Sequence, residues 1–230
     1  MSDLSQLQNF LNIRFNNPAI LEKAFTHRSY LNEVKTVKES NERLEFLGDA
    51  VLGFIVSSNI YRARVTDTEG DLTNLRSYIV KTESLAKAAG ALNLGKFLRL
   101  SRGEEITGGR QNPQLLANTF EALLGAIFID QGLKEAEELV NKFLLPGFEQ
   151  ELESGPPKDN KSALQELVQT KTKTSPHYKI LRTTGPDHAK QFVVGVFMNG
   201  KEIGTGKGLN KQAAEEEAAK EALDKLAKLP

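Results

Sequence analysis

The sequence predicts a multidomain chain, an all-α domain followed by a smaller α+β domain of order α-β-β-β-α. Three observations predict it. Apolar residues recur at helical spacing over the first two thirds of the chain, and alternate at period two only after that. A polar stretch, Glu151-Leu152-Glu153-Ser154-Gly155-Pro156-Pro157-Lys158-Asp159-Asn160, separates the two patterns, and its Gly-Pro-Pro breaks helices. Charge also changes there. Residues 1–157 carry 17 Lys and Arg against 21 Asp and Glu, a net of −4, whereas 158–230 carry 13 against 9, a net of +4. The formal net charge of zero over 230 residues thus conceals two halves suited to different partners. These signals divide the chain into a domain over 1–151, a linker over 152–158 and a second domain over 159–230.

In the first domain the periodicity predicts helices near 4–12, 18–26, 41–63, 71–89, 112–131 and 133–151. Asn17-Pro18 and Asn112-Pro113 suit helix starts, because proline is tolerated at the first helical position. In the second domain Ser162 to Thr170 reads as a helix. Tyr178 to Arg182 and Gln191 to Met198 alternate as strands. Asn199-Gly200 is a hairpin turn signal, with Lys201 to Thr205 returning as a third strand. Asn210 is placed to cap a final helix running to about Leu226.

Composition narrows the chemistry. The absence of cysteine excludes disulfides, thiol catalysis and thiolate zinc sites, and suits a reducing, cytoplasmic setting. With three scattered histidines, any metal site must rely on oxygen ligands, which favours hard cations such as Mg²⁺, with Mn²⁺ as a substitute. No uninterrupted apolar run approaches the roughly 20 residues that span a bilayer, and the N-terminus is polar without a signal-like pattern, so no membrane partner is expected.

The most informative segment is Asn41-Glu42-Arg43-Leu44-Glu45-Phe46-Leu47-Gly48-Asp49-Ala50-Val51-Leu52. On a helix, Glu42, Glu45 and Asp49 share one side, while the remainder is almost wholly apolar, so the acids are expected to line a cleft. A second apolar helix, Gln114 to Gly125, carries a polar stripe of Asn118 and Glu121. If the stripes face each other, Glu45, Asp49, Asn118 and Glu121 present converging oxygens to a cation. The alternative is that Glu42 and Glu45 favour a helix N-terminus through its dipole, and that Asp49 and Glu121 pair with arginines such as Arg43 or Arg76.

Asn41 to Leu52 resembles the signature motif of the ribonuclease III family. Thr26-His27-Arg28-Ser29, Glu69-Gly70-Asp71, Leu75-Arg76 and Leu116-Ala117-Asn118-Thr119-Phe120-Glu121-Ala122 match further pieces in the family's order. The resemblance implies that Glu45, Asp49 and Glu121 are metal ligands, with Asp49 and Glu121 also catalytic. It implies that Glu42 assists at the cleft, that Glu69 is an acid of the same catalytic valley, and that Phe46 is an aromatic knob inserted into a second subunit of a homodimer. Where the family usually has Asp, this chain has Asn118, which keeps a carbonyl oxygen but lacks the charge. His27 and His177 read as structural.

Lys158 to Leu226 resembles the double-stranded RNA-binding domain, through Asp159-Asn160-Lys161-Ser162-Ala163-Leu164-Gln165-Glu166, Gln191-Phe192-Val193-Val194 and Gly206-Lys207-Gly208-Leu209-Asn210-Lys211-Gln212-Ala213-Ala214-Glu215. Such domains read A-form shape through phosphates and 2′-hydroxyls. The resemblance implies contacts from Ser162, Gln165 and Glu166, from the loop Pro186-Asp187-His188, and from Lys207, Asn210 and Lys211 at the start of the last helix. The run Glu215-Glu216-Glu217 reads as a solvated helix face. Taken whole, the resemblance implies an endoribonuclease that cleaves double-stranded RNA by metal-dependent phosphodiester hydrolysis. The expected products carry 5′-phosphates and two-nucleotide 3′ overhangs, from ribosomal RNA precursors and structured messenger RNAs. Asn118 motivates the alternative of a non-catalytic RNA-binding regulator on the same scaffold.

Overall fold

The computed structural model describes residues 4–155, 159–186 and 190–227. The chain divides into two compact units, 1–156 and 157–230.

The first unit is helical: α1 (Leu4–Leu11), α2 (Pro18–Ala24), α3 (Glu42–Ala63), α4 (Glu69–Ile79), α5 (Thr82–Ala91), α6 (Arg102–Ile106), α7 (Pro113–Gln131), α8 (Leu133–Phe143) and α9 (Glu149–Ser154). Both Asn-Pro pairs start helices as expected. Asn17 caps α2 and Asn112 caps α7, whose first two free amides, of Gln114 and Leu115, donate to the Asn112 side chain. The centre of the unit is the packing of α3 on α7, with Leu52, Ile55, Phe120, Leu123, Leu124 and Ile127 fully buried.

Two glycines set how closely α3 and α7 cross. A Cβ added at Gly48 would lie 1.8 Å from the Glu121 carbonyl oxygen, and one at Gly125 would lie 2.3 Å from that of Leu44. By length and composition α3 could cross a bilayer, but its Leu52, Ile55, Val56 and Ile60 are buried within this unit. It is not buried on most sides, however. Phe46, Phe54 and Tyr61 stand out to solvent, leaving an apolar face open.

The single helix expected over 71–89 is two helices. Leu72, Leu75 and Ile79 form the stripe that α4 packs on α3, while the α5 stripe of Leu85, Ala88 and Ala89 faces α7. The second stripe is out of phase with the first, so the backbone breaks at Val80-Lys81. The helix expected over 133–151 is interrupted as well, by a 3₁₀ turn at Leu145–Phe148 containing Pro146. The final helix α9 reaches Ser154, inside the segment read as linker, because Leu152 packs on the core and Arg64 donates to the Glu153 carbonyl. Short elements at Arg28–Asn32, Leu94–Phe97 and Arg102–Ile106 have no periodicity to announce them.

The second unit runs α10 (Asn160–Thr172), β1 (His177–Thr184), β2 (Gln191–Met198), β3 (Lys201–Gly208) and α11 (Lys211–Ala227), the expected α-β-β-β-α order. The sheet is antiparallel in the order β1-β2-β3. Its core is small: Leu164 and Val168 of α10, Val194 and Val196 of β2, and Ala218, Ala219 and Ala222 of α11. Small residues make that closeness possible. Cβ atoms at Gly204, Gly206 and Gly208 would fall 2.5, 2.2 and 2.4 Å from the backbone of α11, so alternate glycines of β3 receive the Ala214–Ala218–Ala222 face.

Candidate active site and nucleic-acid interface

The start of α3 is held from below. Asn41 is buried, donates from its side chain to the Ala24 carbonyl and from its backbone to the Thr26 carbonyl at 2.8 Å, and accepts from the Leu44 and Glu45 amides. This fixes Glu42 and Glu45 beside the His27–Ser29 turn. His27 caps that turn, its Nδ1 accepting from the Ser29 amide. Burial pulls its pKa down and Arg28 pulls with it, against the opposing pull of Glu104 and Glu42. That is a structural role.

The α3–α7 crossing brings the two polar stripes together. Glu45 and Asn118 line one hollow of about 180 Å³ with His27, Arg28, Asn41 and Glu42. Glu121 is half-buried, and burial first, then the charges of Asp49 and Glu45, push its pKa up to about 7. Glu45 is raised by burial and by Glu42 and Asp49, while the Asn118 side chain favours its charged form. Asp49 and Glu42 are more exposed than a cleft-lining role suggests. Glu42 accepts from the Ser40 hydroxyl at 2.7 Å and sits 3.6 Å from Arg28.

The arginine alternative is not realised. Among the described residues no basic side chain forms an ion pair with Asp49 or Glu121, and Arg76 instead reaches the Ser57 hydroxyl. Nor does a tight cage exist, for no three Asp, Glu or His side chains among the described residues draw together as one. The fit is to a hard cation that keeps several waters and takes only one or two carboxylates directly. Half-buried, mutually repelling acids without a basic partner are a donor set that such a cation would relieve.

Within one chain Glu69 does not meet these acids. It lies in the first turn of α4, in a separate hollow beside Phe54, Tyr61 and Arg76, because α4 packs near the far end of α3. Phe46 is 80% exposed on α3, not part of the core.

In the second unit Ser162, Gln165 and Glu166 share one exposed face of α10, although the Ser162 hydroxyl also donates to the cap residue Asp159 at 3.0 Å. Lys207 is exposed on β3. Asn210 caps α11, its side-chain oxygen accepting from the Ala213 amide at 2.8 Å. His188 lies outside the described residues.

Glu215 is not on a solvated face. It is buried, takes Lys161 of α10 at 2.6 Å and faces Lys211 at 3.7 Å. Glu216 accepts from the Asn160 amide at 3.0 Å, and of the acidic run Glu217 alone is exposed. Lys161 also lies over the Tyr178 ring. The Lys211/Glu215 spacing of four was a readable signal for this pairing. The link to Lys161, 54 residues away, was not.

Comparisons with known proteins agree with this architecture. Residues 17–148 match the Ribonuclease-III-like family and residues 160–226 the double-stranded RNA binding motif. The chain is 46% identical over 223 residues to Ribonuclease 3 of Pelotomaculum thermopropionicum, covering 96% of this chain and 92% of that one. It is 46% identical over 222 residues to Ribonuclease 3 of Geobacillus kaustophilus, covering 96% and 90%. Among solved structures it resembles the nuclease domain of ribonuclease III from Campylobacter jejuni, with a TM-score of 0.60 and 37% identity over 64% of this chain and 99% of that one. That structure is described as flexible in a region involved in dimer formation. Two family matches in the expected order, on the folds expected for them, and near full-length relatives place this chain in the ribonuclease III family, as a helical nuclease domain followed by a double-stranded RNA binding motif.

Proposed function

We propose that the chain is a homodimeric endoribonuclease that hydrolyses phosphodiester bonds of double-stranded RNA in a metal-dependent reaction. The reading extends to products with 5′-phosphates and two-nucleotide 3′ overhangs, and to ribosomal RNA precursors and structured messenger RNAs as cytoplasmic substrates. The observation that carries it is the group of uncompensated acids at the α3–α7 crossing, above all Glu121 held near a pKa of 7, in a chain that also carries an RNA-binding unit.

Glu45, Asp49 and Glu121 would hold Mg²⁺ or Mn²⁺, with Asn118 beside them as a further oxygen donor. Such a cation, when bound, supplies Lewis acidity that lowers the pKa of a water and offsets charge on the phosphate. Asp49 and Glu121, the first exposed and the second half-buried, would orient a water at the crossing, and Glu121 could take up a proton. Glu42, tied to Ser40 and Arg28, stands at the rim where the RNA backbone would pass. The Ser162, Gln165 and Glu166 face would meet 2′-hydroxyls, with His188 in an adjoining groove. Lys207, Lys211 and the amides at the Asn210 cap would meet phosphates. The exposed Phe46 supports pairing of two copies through α3.

Asn118 favours a second reading, an RNA binder without cleavage. Cutting of a long perfect RNA duplex, with Mg²⁺ and Mn²⁺ titrated, separates the two. Wild type is expected to cut, and Glu121→Ala to bind without cutting. Binding without cleavage by wild type in either metal, with cleavage restored by Asn118→Asp, would establish the second reading instead.

A further inference from the structure

The apolar contact between α10 and α11 is smooth. Leu164 and Val168 of α10 meet Ala218, Ala219 and Ala222 of α11. Apolar burial has no direction, and a face of methyl groups offers only low ridges, so this contact does little to fix the angle between the helices. Polar contacts at the start of α10 supply what it lacks. The Lys161 ammonium donates to Glu215 Oε2 at 2.6 Å, while the other Glu215 oxygen faces Lys211 at 3.7 Å. The Asn160 amide donates to Glu216 at 3.0 Å. Lys161 also stands 5.1 Å from the centre of the Tyr178 ring on β1. The direction of each hydrogen bond is fixed, since an ammonium or amide N–H only donates and a carboxylate only accepts. Glu215 is buried, so its tie to Lys161 is screened less than a surface ion pair.

The ends joined in this way are the ends that carry the expected RNA contacts. Ser162, Gln165 and Glu166 follow Lys161 on α10, and Asn210 and Lys211 open α11 one turn before Glu215. A-form and B-form duplexes differ in groove width and depth, so two contact sets held at one separation suit one form and not the other. We propose that Lys161 and Glu216 are positioning residues that set specificity: they hold the α10 face and the α11 start at the separation of A-form grooves, and so let this unit reject duplex DNA. The inference rests on the duplex-RNA reading of this unit. Neither residue has to touch the nucleic acid. Once the ties are cut, the α10 face gives way and its 2′-hydroxyl contacts weaken. Phosphate attraction remains, and DNA satisfies that as well as RNA.

The test is fluorescence anisotropy of the full chain, in EDTA so that no RNA is cut, on an RNA duplex and the DNA duplex of the same sequence. The readout is the ratio of the two affinities, for wild type, Lys161→Met, Lys161→Arg and Glu216→Ala, each checked for folding by circular dichroism. Lys161→Met keeps the stem beside Tyr178 without the charge. It is expected to lower the preference for RNA about fivefold, the scale of one partly exposed charge-assisted hydrogen bond. Glu216→Ala removes the second tie and leaves the buried pair in place, with about a twofold fall expected. It reads the same ratio should Lys161→Met not fold. Lys161→Arg can still donate to Glu215 and is expected to keep the wild-type ratio. A role confined to stability would leave every ratio unchanged, because both duplexes bind the same folded fraction. Ratios equal to wild type in the folded Lys161→Met and Glu216→Ala proteins overturn the inference and leave the duplex-RNA reading intact. Equal binding of both duplexes by wild type overturns both.

Discussion

At the α3–α7 crossing and at the junction of α10 with α11, a carboxylate is carried in among packed helices, but the company it meets differs. The first approach relies on missing side chains, Gly48 and Gly125, whereas glycines of β3 bring the sheet, not α10, close to α11. Glu215 meets Lys161 and Lys211. Glu121 meets Asp49 and Glu45, and no lysine or arginine pairs with it among the described residues. Glu215 is the more buried of the two, and the electrostatics are opposite. A compensated carboxylate joins two helices. An uncompensated one holds free energy that a cation could release, which is why the metal-dependent reading is proposed for the first unit.

The largest effect expected is on the crossing itself. Gly48→Ala places a methyl group 1.8 Å from the Glu121 carbonyl oxygen, where only backbone movement can make room. Overpacking of this kind costs about 3 kcal/mol or more when the obstacle is main chain. Urea denaturation of the first unit should shift accordingly, and cleavage should be lost. A variant as stable as wild type would show that α3 and α7 do not meet this closely.

Much of this comparison could be read from the chain beforehand. The two-unit order, both Asn-Pro starts, the Asn210 cap and the hairpin at Asn199-Gly200 are local signals, and local signals survive folding. The stripes of Glu45/Asp49 and Asn118/Glu121 were legible as helical spacing, and the structure brings them together. What spacing could not supply was environment. Spacing ties Glu215 to Lys211, but its burial follows from Lys161 on another helix, which no local signal announces. The exposure of Phe46 was likewise invisible to periodicity, since an apolar helix reads as buried whether its open face meets its own core or not. Glu69 could not be placed without the packing angle of α4, and the break at Val80-Lys81 appears only when the two stripes are seen to face different helices.

The next effect sharpens the contrast in sign. Burial and like charge raise the folded Glu121 pKa to about 7, above its ordinary 4.5. Between those values the folded state binds more protons than the unfolded one, so this group makes stability fall as pH rises through the window. Glu121→Gln removes the dependence. In metal-free buffer the variant should be more stable than wild type by about 1–2 kcal/mol above pH 7, after allowance for partial exposure, with the advantage shrinking toward pH 4.5. Adding Mg²⁺ at pH 8 should raise the melting temperature of wild type and leave the variant behind. Parallel melting curves for the two proteins from pH 4.5 to 8 would contradict the shift.

Glu215→Gln is the matching change in the second unit, and it should act in the opposite direction. The amide keeps the volume but gives up the charge that holds Lys161 and Lys211, so stability should fall by about 1 kcal/mol, the scale of a charge-assisted hydrogen bond that is partly exposed. The same change frees Lys211, which is partly neutralised at 3.7 Å, to act as a full phosphate cation. Duplex RNA binding should then depend more steeply on salt, the slope of log K against log salt growing by somewhat less than about one unit. Measured by fluorescence anisotropy across a salt series, a steeper slope in a less stable protein would separate the two roles of Glu215. A loss of stability with the slope unchanged would leave Glu215 as a helix tie alone, and Lys211 as a cation already fully available to RNA.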